Sequence, residues 1–210
     1  MVFENRCLRV VGVGGTLRRR SSSLGALRRA LSAAEEAGAE VELFDLRELG
    51  LPMYEPEKAL DDYGPEVRRF IGALREADAL ILSTAAYHGT LAGVTKNALD
   101  FTQFLARDER PYLAGRVVGL ISTSGGERAA ANTTDAMVHV VHALRGVVAP
   151  QMVMIGGAAW KRFDDEGNVT DEGSGGRLDR LGSLVVEMAE GLGPDRGSGD
   201  RRAEAVGVAV

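Results

Sequence analysis

The chain has few of the residues that usually mark a specialised chemistry. Its 210 residues include one cysteine, one tryptophan and three histidines, and aromatic side chains make up 5%. A lone cysteine cannot close a disulfide within the chain, so the cross-linked framework of small secreted domains is excluded. Cys7 leads into an apolar run and is expected to be a buried, inert thiol, in keeping with a reducing cytoplasm. No apolar stretch approaches the ~20 residues that span a bilayer, and no membrane partner is expected. Met1–Cys7 has no apolar core followed by a small-residue cleavage site, so no secretion signal is read there. Neither sign of charge dominates: 25 Lys and Arg against 30 Asp and Glu leave a net charge of −5. Nothing in that balance points to nucleic acid.

What the sequence does have is alternation. Short apolar, β-branched runs read as strands at Leu8–Gly12, Glu40–Phe44, Ala79–Ser83, Arg116–Ser122 and Met152–Ile155. Between them apolar residues recur at helical spacing. Leu24, Leu27, Leu31 and Ala34 come first, with Gly38 at the expected cap, and then Val67, Phe70, Ile71 and Leu74 behind Pro65. Val94, Ala98, Phe101 and Leu105 follow, then a long helix from Glu127 to Arg145 and a last one on Leu178, Leu181, Val185 and Met188. Five βα units in a row imply an α/β fold, a parallel sheet with helices on both faces. Residues 1–190 are expected to form one domain. Residues 191–210, rich in Gly, Asp, Arg and Ser, are expected to be a disordered tail.

In such sheets ligands bind beyond the carboxyl ends of the strands. The loops after the first, third and fourth strands are therefore the ones to read. The first runs Gly12–Ser23, "GVGGTLRRRSSS". A dinucleotide fingerprint fails because Leu17 stands where the third glycine is needed. A Walker loop fails because the stretch has no lysine. What remains is a glycine turn, then hydroxyls and guanidiniums at a helix N-terminus, where free amides and the helix dipole favour an anion. Thr16, Ser21, Ser22 and Ser23 add donors, and Arg18 adds a charged fork. This suits a terminal phosphate monoester, and the same residues also suit an ordinary N-capped helix beside a solvated basic loop. The second loop follows Ser83 and holds Tyr87, His88 and Gly89. The third is "STSGGE", Ser122–Glu127. Three small, donor-rich loops would frame a planar heterocycle.

Two stretches carry a family resemblance. Gly15-Thr16-Leu17-Arg18-Arg19-Arg20-Ser21 is similar to G-S-x-R-x-x-S. Ala85 through Asp100, "AAYHGTLAGVTKNALD", is similar to P-E-Y-N-x-S-x-x-G-x-L-K-N-A-x-D. Both are motifs of the NAD(P)H-dependent FMN reductases, a group that includes FMN, quinone, azo and chromate reductases. Ser124–Gly126 matches that family's third loop, and Phe163–Glu172 resembles an excursion many members carry before the last helix. Ala85 and Ala86 replace the usual Pro-Glu and His88 the usual Asn, which removes polar contacts near the flavin edge.

The resemblance implies a flavodoxin-like three-layer sandwich with a five-stranded parallel sheet in the order 2-1-3-4-5. It also implies FMN as cofactor and NADPH, or NADH, as co-substrate. Thr16, Arg18, Ser21 and Ser23 are expected to hold the phosphate. Ala86, Tyr87, His88 and Gly89 are expected to flank the isoalloxazine ring, and Ser124, Gly125 and Gly126 to approach its pyrimidine edge. No side chain is assigned as catalytic acid or base and none as a metal ligand, because the flavin carries the hydride chemistry. The expected partners are a small-molecule electron acceptor and further copies of the chain, as a homodimer or homotetramer. Two other classes stay open: an electron carrier like flavodoxin, and a module that holds another phosphate ligand without redox chemistry. The Lys96-Asn97-Ala98 stretch favours a reductase. Trp160 is expected to pack at the base of the excursion, and Met53 and Tyr54 to lie in a plain connecting loop, with a place over a neighbouring subunit's site as the alternative.

Overall fold

The computed structural model describes residues 7–193. The tail expected at residues 191–210 therefore lies, from residue 194 on, outside the described residues. Strand β1 (Arg9–Gly14) leads into helix α1 (Ser22–Glu36), and β2 (Glu40–Asp45) leads into the single turn α2 (Leu46–Leu49). Helix α3 (Pro65–Glu76) precedes β3 (Ala79–Tyr87), which pairs with the short β4 (Thr90–Leu91) before α4 (Gly93–Asp100). Strand β5 (Val117–Thr123), α5 (Glu127–Ala143), β6 (Val147–Val148), β7 (Val153–Ile155) and α6 (Glu172–Leu192) complete the order.

The sheet runs β2-β1-β3-β5-β6, with β7 also on β5 and β4 on β3. All pairs are parallel except the antiparallel β3–β4 hairpin. It thus has seven strands where five were expected, and both additions are local. The fifth position is filled twice: Val147 and Val148 pair with Val117 and Val118, and Val153–Ile155 pair with Ile121–Thr123. Pro150 lies in the gap between them, and proline has no N–H for the ladder. The order of the five positions is the expected one.

Alternate side chains of the sheet feed two cores, which makes three layers. Val11, Val13, Leu80, Leu82, Val118 and Leu120 face α3, α4 and α5. Val10, Ala79, Ile81 and Val117 face α1 and α6. On this second side the helices come very close. A methyl group added at Gly12 would lie 2.4 Å from the Leu31 side chain, and one at Gly182 would lie 2.1 Å from the Ala30 carbonyl oxygen. Arg29 on α1 forks onto Asp179 on α6 through Nε–Oδ1 and Nη2–Oδ2 contacts of 2.8 Å each.

At the amino ends of the strands Arg116 is 1% exposed. Its guanidinium donates to the carbonyls of Ala77 at 3.0 Å, Arg75 at 2.7 Å and Tyr112 at 3.1 Å. It therefore caps the C-terminal end of α3, where carbonyls lack helical partners. Burial, and the nearby charge of Arg110, push it down to about 10, so it stays charged at neutral pH. Cys7 is exposed, contrary to expectation, and its thiol lies 2.9 Å from the Gly38 carbonyl.

Candidate functional site

Three loops at the carboxyl end of the sheet build the site. The first begins where β1 ends against β3: a Cβ on Gly14 would lie 2.4 Å from the Ser83 carbonyl oxygen. Gly15 then turns the chain at φ +98, in the left-handed region that glycine enters without strain. So Gly12 and Gly14 serve close packing, and Gly15 alone serves the turn. Thr16 Oγ1 accepts from the Arg18 amide at 3.2 Å. Ser21 caps α1, its hydroxyl accepting from the Leu24 amide at 3.3 Å and meeting Ser23 Oγ at 3.0 Å. Other first-turn amides of α1 have no partner within the helix. Ser83 Oγ donates to the Ser23 carbonyl at 2.7 Å and locks this helix start to β3.

The second loop is a tight hairpin. Strand β3 runs on to Tyr87, and β4 returns from Thr90. The two residues between, His88 and Gly89, have φ of 52 and 84. Positive φ at both positions is the mark of a type I′ turn, which asparagine followed by glycine fills best. Histidine tolerates that region better than most side chains. Thr84 Oγ1 accepts from the Ala92 amide at 3.1 Å and meets Thr95 Oγ1 at 2.9 Å, holding the hairpin against α4.

The third loop is joined to a fourth. Ser124 Oγ donates to the Gly126 carbonyl, and Gly126 is the N-cap residue of α5. The Ser124 amide donates to the Ile155 carbonyl at 2.9 Å. In return the amides of Ala158 and Ala159 donate to the carbonyls of Gly125 and Ser124 at 2.9 and 3.2 Å. The loop after β7 is thus zippered to the loop after β5, and it carries Trp160.

These loops enclose a cleft of about 270 Å³. The first loop contributes Thr16, Arg18, Arg20 and Ser21–Ser23 to its wall, and the others contribute Ala85–Tyr87, Thr123–Gly125, Ala159 and Trp160. Among the residues expected from sequence, Thr16, Arg18, Ser21, Ser23, Ala86, Tyr87, Ser124 and Gly125 meet at this wall. His88, Gly89 and Gly126 are not part of it: the first two form the turn behind Tyr87, and the third caps α5. Trp160 is 63% exposed rather than packed at the base of the excursion. The excursion itself folds over α1, where a Cβ on Gly25 would lie 1.9 Å from the Gly167 carbonyl oxygen. Its Asp165 holds Arg20 at 2.7 Å across the rim. Asn168 donates to the Asp164 carboxylate and keeps it below the usual carboxylate range. Tyr54 packs edge-on against Phe101 and Phe104, and Asn97 bonds both the Tyr54 amide and the Pro52 carbonyl, at 2.9 and 2.8 Å.

The sequence profile of the NADPH-dependent FMN reductases matches residues 8–160. The chain belongs to this family. It is 30% identical over 170 residues to an NAD(P)H-dependent FMN reductase of Pseudomonas aeruginosa, spanning 79% of this chain and 86% of that protein. It is 28% identical over 176 residues to a probable NADPH:quinone oxidoreductase of Oryza sativa subsp. japonica, spanning 79% and 81%. An archaeal flavodoxin superposes with a TM-score of 0.59 at 11% identity, covering 87% of this chain and 99% of that one, which shows the flavodoxin-like fold.

The cleft suits the cofactor of this reductase family. The first loop brings hydroxyls, α1 amides and guanidiniums to the cleft, the donor set for a phosphate. The other loops bring small residues, bare backbone and two aromatic rings, the wall for a flat heterocycle. A side chain at Gly125 would begin to fill that wall, since its Cβ would reach the Trp160 ring at 3.4 Å. Trp160 and Ala159 escaped the sequence reading because only the loops after the first, third and fourth strands were weighed. The fifth strand also ends at this edge, and the same rule covers its loop.

Proposed function

We propose that this reductase holds FMN in the three-loop cleft and passes electron pairs from NADPH, or NADH, to a small-molecule acceptor such as a quinone or free flavin. The observation that carries it is the pairing, within one cleft, of an anion-binding helix start with an aromatic, small-residue wall. The FMN and quinone activities named for the two relatives support the same reading.

Thr16, Arg18, Ser21 and Ser23 would hold the phosphate, with the first-turn amides of α1. Ala86 and Tyr87 would flank the ring, with His88 and Gly89 setting the angle of Tyr87. Ser124 and Gly125 would offer backbone groups to the ring edge, with Gly126 starting α5 behind them. Bound FMN supplies the two-electron chemistry, and the chain's own task is to position and to shield. No protein acid or base is assigned.

Among the described residues no helix is long and apolar enough to cross a membrane. Dependence on NAD(P)H and a free thiol at Cys7 support a cytoplasmic location. Val138 and Val140 on α5 and Leu144 at its C-cap are partly buried apolar side chains, and we assign this helix to a homodimer or homotetramer contact.

The test is a visible spectrum of the purified protein after FMN is added and the excess removed, followed by anaerobic NADPH titration. Retained flavin bands that bleach with NADPH are expected. Retained flavin that NADPH cannot bleach would point to an electron carrier, and no flavin binding at all would overturn the reading.

A further inference from the structure

Trp160 is the single tryptophan of the chain. A mobile surface indole would call for no explanation, but this one is mounted on a fixed frame. It lies in the 3-10 turn Ala159–Arg162, directly after the two amides that zipper onto Gly125 and Ser124. Arg162 Nη1 closes the loop from its other side by donating to the Gly156 carbonyl at 2.9 Å. Gly156 is itself pressed on α5, where an added Cβ would lie 2.5 Å from Glu127 Cα. The residue that turns the chain into this frame, Ala158, sits at φ 61 and ψ 51. That left-handed conformation is costly for alanine and persists only where surroundings impose it, as they often do at ligand sites.

The frame holds the indole on the cleft wall beside Gly125, with Tyr87 as the other aromatic of that wall. Both rings are open to solvent, 63% and 43%. The aromatic pairs among the described residues lie elsewhere, between Phe44 and Phe70 and among Tyr54, Tyr63, Phe101 and Phe104. The two cleft rings are thus exposed, unstacked on other aromatics and set beside small residues, a surface that favours a flat partner. The cationic side chains of the cleft, Arg18 and Arg20, belong to the first loop, and Arg20 is engaged by Asp165.

We propose that Trp160 is a stacking wall for a flat, electron-poor ring and, where that ring is the acceptor's, selects planar aromatic oxidants over compact inorganic ones. The inference rests on the reading of the cleft as the FMN site. The ring could be the acceptor's, a quinone, or the isoalloxazine of FMN itself, and the experiment separates the two.

The full chain is compared with its Trp160→Ala and Trp160→Phe variants by two measurements. One is the FMN dissociation constant, followed by flavin fluorescence. The other is the ratio of kcat/KM for menadione to that for ferricyanide, an octahedral oxidant that does not stack, at saturating FMN. If the ring is the acceptor's, Trp160→Ala raises the menadione KM about tenfold and lowers the ratio alike, and Trp160→Phe restores most of both. If the ring is the flavin's, Trp160→Ala raises the FMN dissociation constant about tenfold and Trp160→Phe restores it. A Trp160→Ala variant equal to the parent in both measurements overturns the proposal. A parent protein that binds no FMN overturns the function assigned to the cleft, and the stacking wall is then judged alone. For that case the lone indole's emission is titrated with menadione: saturable quenching upholds the wall, and purely collisional quenching overturns it.

Discussion

Gly182 on α6 faces the backbone of α1 so closely that a Cβ there would lie 2.1 Å from the Ala30 carbonyl oxygen and 2.9 Å from the Ala33 methyl. Backbone cannot move aside as a flexible side chain can. Gly182→Ala is therefore expected to destabilise the fold by about 2–3 kcal/mol through overpacking. Gly176, on the same helix, has nothing within 4 Å of its added Cβ. Gly176→Ala should raise stability by about 0.5–1 kcal/mol. Urea unfolding of both variants checks the contrast, and equal effects would show that the α1–α6 contact is looser than described.

Arg116 is expected to be irreplaceable. Its fork serves carbonyls of Arg75, Ala77 and Tyr112 together. Arg116→Met would leave buried acceptors without donors, at about 3 kcal/mol or more. Arg116→Lys should recover little, because an ammonium is a point donor and not a planar fork. Chemical denaturation of the two variants decides this, and a lysine variant as stable as the parent would refute the fork.

The Arg29–Asp179 bridge has a defined pH signature. The hydrogen bonds from Arg29 hold the Asp179 carboxyl below its ordinary value. A depressed carboxylate stabilises the fold above its unfolded pKa, and the gain disappears as pH falls through the folded one. The side chains are 37% and 45% exposed, so the gain is about 0.5 kcal/mol. Asp179→Asn should be less stable than the parent by that amount near neutral pH, and the gap should close as pH falls through the lowered folded-state pKa of Asp179. Paired urea titrations at the two pH values test both halves.

Arg18 carries the prediction that bears most directly on the cofactor. Arg18→Ala should weaken FMN binding by about 1.5–3 kcal/mol, the worth of a charged hydrogen bond. Isothermal titration with FMN measures it, and undiminished affinity would remove Arg18 from the phosphate site.

His88 should be improvable. At φ 52, followed by Gly89 at 84, it occupies a turn position that asparagine prefers. His88→Asn is expected to add about 0.5 kcal/mol to stability. A thermal midpoint that falls would show that the imidazole makes a contact worth more than the turn.

Much of this architecture was legible because its signals are local. The apolar runs at Val10–Val13, Leu80–Leu82 and Val117–Ile121 are buried on both faces, so their periodicity survives folding as continuous hydrophobic stretches. The start of α1 was legible for the same reason, since Ser21 caps a helix that begins one residue later. The misses depend on partners far along the chain, with one local exception. The β3–β4 hairpin was read as loop although Tyr-His-Gly-Thr holds a two-residue turn, because a histidine in the first turn position is an uncommon signal. Strand β6 has two residues and exists only because β5 offers it an edge. Trp160 is carried to the cleft by bonds from Ala158 and Ala159 to residues more than thirty positions earlier, which no window of sequence contains.

The zipper between the loops after β5 and β7 also sets the units in which this cleft can be rebuilt. Residues 123–126 and 156–160 share backbone bonds at Ser124, Gly125, Ala158 and Ala159, so transplanting either segment alone would strip the other of its partners. They form one cassette. The His88–Gly89 hairpin closes on itself between Ala86 and Leu91, and forms a second. A library that varies the two cassettes independently, while leaving Gly15–Ser23 untouched, would reshape the rest of the cleft wall without altering the first loop.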